Sequence, residues 1–137
     1  MHDRPNIPEL LDAVQRFLVE EIVPATSGRK QFLARVAANC VRMVDRELAT
    51  ERRQFEEAWH DLNRLFGSES PPSDRVERGM AVSGRLELLC ERIQDGEFDE
   101  DSEHYDVILA FVRERVRQKL QVSNPKLLEA DAKRGIE

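Results

Sequence analysis

Apolar residues recur along this chain at spacings of three and four, the period of helices that bury one face. The clearest run is GRKQFLARVAANCVRMVDREL, residues 28–48, in which Leu33, Val36, Ala37, Cys40 and Val44 share one stripe and Phe32, Val41, Met43 and Leu48 widen it. About half the circumference is then apolar, which predicts a central helix with neighbours on more than one side. Ser27 is placed to cap its start.

The same reading divides the rest of the chain. Pro8 suits a first helical turn, and Leu10, Leu11, Val14, Phe17, Leu18 and Ile22 form the stripe of a first helix that stops at Val23, because Pro24 disfavours the helical conformation before it. The connection 24–27 is short, which predicts an antiparallel hairpin with the central helix. A third helix is predicted over 51–66, with Phe55, Ala58, Trp59, Leu62, Leu65 and Phe66 on one side and Gly67 as its stop. The segment SESPPS, residues 68–73, is a linker. A fourth helix over 74–94 carries Gly79, Val82, Leu86, Leu89, Cys90 and Ile93. The fifth, over 103–122, turns Ile108, Phe111, Val112 and Val116 inward. Asn124-Pro125 opens a short last helix with Leu127 and Leu128.

No stretch alternates apolar and polar residues as a strand does. The fold class is therefore all-α: an up-and-down bundle of five main helices plus a short C-terminal helix, in one domain over 1–137 with loose ends at about 1–6 and 130–137.

Composition narrows the partners. Charged residues make up 35% of the 137, and 21 basic against 27 acidic side chains leave a formal charge of −6. They are spread rather than blocked, and no basic face marks a nucleic-acid binder. No apolar run approaches the length of a membrane span, so a soluble, cytoplasmic protein is expected. Cys40 and Cys90 fall on apolar faces without metal-ligand spacing and read as small buried hydrophobes.

Some polar residues fall on faces expected to be inside. Glu21 interrupts the first stripe, Glu47 the second, Asn39 lies at the second's edge, and Arg115 and Lys119 share the inward face of the fifth helix. Two acids balance two bases, so these five form either an ion-pair network that fixes which helix faces which, or a polar pocket for a small charged ligand. Arg29 and Lys30 stand in the first turn of the central helix, where the dipole disfavours cations; with Arg35 one turn on they are candidates for holding an anion.

Other patterns are weaker. Glu57-x-x-His60 is half of a di-iron motif, but its two side chains point away from the apolar stripe and no second copy exists. Asp99-x-Asp101-x-Glu103 lacks the glycine and the glutamate of a calcium loop. No Ser or Cys nucleophile stands in a recognisable activating pattern. The residues thus assign no catalytic group, no metal and no cofactor.

The segments RPNIPELLDAVQRFLVEEIVPA, GRKQFLARVAANCVRMVDREL, LCERIQDGEFD and VRQKLQVSNPKLL resemble a bacterial family of small helical proteins without assigned function. Its members are commonly encoded beside acyl-CoA dehydrogenases and aminoglycoside-phosphotransferase-like proteins. Matching positions include Arg29, Arg35, Asn39, Glu47, Lys119, Asn124 and Pro125, and no catalytic role carries over. The resemblance implies a non-enzymatic accessory or interaction protein working with one of those enzyme classes. The alternative is a protein that binds or processes a small anionic metabolite such as an acyl-CoA fragment inside the bundle. Self-association into a homo-oligomer through leftover apolar faces is compatible with either.

Overall fold

The computed structural model describes residues 4–135, all helices and turns with no strand among them. The helices are α1 (Ile7–Arg16), a π-helical turn (Phe17–Ile22), α2 (Val23–Ala25), α3 (Gly28–Phe66), α4 (Arg75–Gln94), α5 (Tyr105–Ser123) and α6 (Pro125–Arg134). They fall into two compact units, Met1–Thr50 and Glu51–Glu137, with α3 contributing to both.

In the first unit Asn6 starts α1 with a capping box: its side chain accepts from the Glu9 amide at 3.0 Å while the Glu9 carboxylate accepts from the Asn6 amide at 2.9 Å. Pro24 does not end the helix as the sequence suggests. The chain widens into the π turn just before it, where the Val23 amide reaches back to the Leu18 carbonyl. Such a turn relieves the clash a proline ring makes with the carbonyl four residues earlier. Thr26 and Ser27 then link to Gly28, whose φ of 57° is a left-handed value open to glycine. Gln31 secures the reversal, its amide donating to the Val23 and Thr26 carbonyls at 3.0 Å each.

The helices expected over 28–48 and 51–66 are one helix. Neither proline nor glycine lies between Arg29 and Phe66, and Thr50, a poor helix former, satisfies its hydroxyl on the Arg46 carbonyl at 2.8 Å. Gly67, with φ of 96°, terminates the helix where the sequence places the stop.

The second unit holds the larger core. Leu62, Leu89, Phe98, Ile108 and Phe111 are buried together, with Leu65, Phe66, Val82 and Leu86 packed against them. Phe98 was not expected there, since it stands in the acidic turn EFDEDSE. Asp74 caps α4, accepting from the Val76 and Glu77 amides at 2.8 and 3.1 Å. These two N–H groups, Glu77's first, hold its carboxyl below the ordinary aspartate value. Asn124 gives α6 no side-chain cap, although Pro125 occupies the first turn as expected. α6 continues to Arg134, so 130–134 are helical rather than loose. The expected looseness of 1–3 and 136–137 lies outside the described residues.

Candidate functional site

Arg85 lies on α4 three residues after half-buried Val82 and four before buried Leu89, on the apolar stripe, and is itself buried. Its guanidinium is satisfied by the end of α3. It donates to Asn63 Oδ1 at 2.6 Å, to the Leu62 carbonyl at 2.9 Å and to the Gly67 carbonyl at 3.1 Å. Its charged plane lies 4.8 Å from the Trp59 ring centroid. A helix end leaves carbonyls unpaired, and a fork of donors suits them. Trp59 Nε1 and Asn63 Nδ2 both donate to the Glu69 carbonyl, at 3.0 and 3.1 Å, so the serine- and proline-rich linker is tied down. This cluster is a structural clasp: the Arg85 guanidinium meets three acceptors, and the Trp59 and Asn63 donors share a fourth.

A second polar cluster joins α5 to α3. Buried Gln118 donates to Glu57 at 2.7 Å and to Glu114 at 3.2 Å. Arg115, its side chain 15% exposed, donates Nη1 to the Gln54 carbonyl at 3.2 Å and lies 3.8 Å from the Asp61 carboxylate. Arg115 Nε and Nη2 and Gln54 Nε2 are buried without a hydrogen-bond partner among the described residues. Beside this cluster runs an open groove of about 380 Å³ with Asp61, Asp106 and Glu114 on its walls, one cation, Arg64, and apolar Leu65, Val107, Ala110 and Phe111. Three carboxylates against one arginine repel an anionic ligand.

The five residues expected to form a polar interior do not share one environment. Arg115 alone goes inside; Glu21, Asn39, Glu47 and Lys119 are exposed. Two physical causes separate them. On α5 the covered stripe runs through Ile108, Phe111, Arg115, Gln118 and half-buried Val122, so Lys119 falls beyond its edge and Val112 and Val116 are exposed at its rim. In the first unit a short hairpin cannot cover half of a helix's circumference, so Glu47 and Asn39 sit on faces that stay open, as do Leu33, Val36, Cys40 and Val44. Glu21 lies in the π turn, whose extra residue per turn shifts it off the stripe. Cys90 is exposed as well, and both cysteines are free thiols.

Arg29, Lys30 and Arg35 are exposed on α3. At about 100° per residue their spacing sends them to three sides of the helix, so they do not converge on an anion. Glu57 is engaged by Gln118 and by Arg53 at 3.8 Å, while His60 faces solvent. No group of three or more His, Cys, Asp or Glu side chains able to hold a metal ion occurs among the described residues.

Sequence reasoning missed Arg85, Asn63 and Gln118. Arg85 and Gln118 carry a legible signal, a polar residue at helical spacing within an apolar stripe. Asn63 gives none, because its role depends on where α4 lies.

A family model described as Domain of unknown function (DUF6285) matches residues 24–127. The chain belongs to the DUF6285 family. This agrees with the resemblance to a family without assigned function. The DUF6285 match takes in α3, α4 and α5 with both polar clusters, begins at Pro24 after α1 and the π turn, and ends in α6. No curated protein matches the chain, and no solved structure does.

Proposed function

We propose that this DUF6285 protein is a non-enzymatic interaction protein that docks through its N-terminal unit. One observation carries the reading: in that unit Ile7, Leu10, Val14 and Phe17 of the first helical segment and Leu33, Val36 and Val44 of α3 are each about half exposed. Rows of large apolar side chains left half exposed at helical spacing mark a contact that the isolated chain does not make. The bundle that the helix pattern suggests is, in this reading, completed by a partner. The resemblance supplies the partner classes, an acyl-CoA dehydrogenase or a phosphotransferase-like protein, in a bacterial cytoplasm.

The competing reading, an anionic metabolite in a polar pocket, finds less support, because four of its five residues face solvent and the groove on the second unit is acidic. Binding of the purified full chain to purified enzymes of the two classes, followed by light scattering, tests the proposal. The expected result is a stable complex with one class that is lost in Phe17→Asp and Leu33→Asp. No complex with either class would overturn the partner assignment.

A further inference from the structure

The groove on the second unit is lined along α5 by Asp106, Val107, Ala110 and Glu114, positions i, i+1, i+4 and i+8 of one helix face. Two carboxylates thus stand about 12 Å apart along the helix with apolar residues between them. Val107 is 42% exposed, and Leu65 on the α3 wall adds to the apolar floor. Asp106 and Glu114 take part in no ion pair among the described residues.

The last helix repeats that spacing with the charges reversed. Lys126, Leu127, Ala130 and Arg134 of α6 are again i, i+1, i+4 and i+8, and Lys133 falls on the same side. At about 100° per residue these five lie within about 120° of one another, and half-buried Leu128 lies roughly opposite. Lys126, Lys133 and Arg134 are exposed and in no ion pair among the described residues, and Leu127 is 40% exposed. Glu129 and Asp131 border the face, while the groove's one cation, Arg64, stands on its α3 wall. Because the α6 face is open in the single chain, the chain's own groove does not hold it.

From this we infer that the groove receives α6 of a second copy of the chain. An amphipathic helix laid in a groove sets its apolar side chains on the floor and its charges on the walls. Here Leu127 and Ala130 meet Val107, Ala110 and Leu65, while Lys126 and Arg134 meet Asp106 and Glu114. Both ion pairs form whichever way the helix runs, because cations and anions share one spacing of eight residues. Each copy has one groove and one α6, so a reciprocal exchange in a twofold dimer fills both. This contact belongs to the second unit and is independent of the docking proposed for the first.

Sedimentation of the full chain over a concentration series up to roughly 200 µM tests the inference, because such an association shifts by mass action. The expected result is a dimer. Leu127→Glu, at an exposed position, gives a monomer over the same range with unchanged Trp59 fluorescence, showing that the second unit stays folded. Asp106→Lys raises the dimer dissociation constant by about tenfold or more, since the twofold places the like-charge contact in both grooves. Adding Arg134→Asp restores the constant to within about threefold if α6 runs antiparallel to the α5 that receives it, and adding Lys126→Asp does so if it runs parallel. A wild-type chain that stays monomeric throughout overturns the inference. So does a dimer that Leu127→Glu leaves intact, or an Asp106→Lys defect that neither second change relieves. Leu33→Asp, which removes the enzyme contact proposed for the first unit, leaves this dimer unchanged, so the two readings fail separately.

Discussion

A single arginine does more to define the second unit than its apolar neighbours suggest. Arg85 fills the gap between two helices with a planar fork that three acceptors of the α3 terminus match. Replacing it with methionine keeps volume but orphans two carbonyls and an amide oxygen, and should cost about 2–3 kcal/mol. Lysine should not rescue it, because one ammonium cannot reproduce the fork. Denaturant unfolding followed by Trp59, the only tryptophan and a direct neighbour of Arg85, reads both variants. Asp74 supplies a pH-dependent contribution. Its folded-state carboxyl is held below the ordinary 3.8, so its stabilisation is present above that value and lost as pH falls through the depressed one. Glu97, depressed first by its hydrogen bond from Arg92, acts in the same direction. Asp74→Asn keeps a capping acceptor but removes the charge. The variant should be less stable than the parent at neutral pH, with the difference closing on acidification below pH about 4, as thermal melts at several pH values would show.

At the level of elements, the long α3 ties two different kinds of surroundings to one backbone. Its second half carries Ala58, Trp59 and Leu62 into a real core, whereas in its first half only Ala34 and Ala38 are buried. Leu62→Ala should therefore cost about 2–5 kcal/mol, the range for a fully buried leucine. Glu47→Gln in the other half should change stability by under about 0.5 kcal/mol, since its side chain is already in water. Chemical denaturation of both variants separates the two. A break at Ala49–Thr50 looked natural in the sequence because the apolar stripe fades there. Stripes report burial, however, and the helix itself is ended only by a residue that cannot continue it. Gly67 is such a residue; Thr50 is not. The π turn shows the same distinction reversed, since Pro24 could continue the helix once the preceding turn widened.

For the molecule as a whole, the two units differ in how much core each has of its own. Of the first unit's described apolar residues only Ala34 and Ala38 are buried, whereas the second closes around Leu62, Leu89, Phe98, Ile108 and Phe111. Amide hydrogen exchange should be faster in 28–48 than in 85–93 and 108–111, because the latter pack into the larger core. No helix among the described residues is long and apolar enough to cross a membrane.

The helical period, the positions of Gly67, Pro24 and Pro125, and the side of α3 that carries Trp59 and Leu62 were all determined by local sequence, because periodicity and backbone restriction act within a few residues. Tertiary structure alone decided which stripes are covered. It placed Arg115 and Gln118 inside and Lys119 outside, left Glu21, Asn39 and Glu47 in water, and drew Phe98 out of an acidic turn into the core. A residue's angle on a helix is fixed by counting along the chain, whereas its burial depends on a neighbour that arrives from elsewhere.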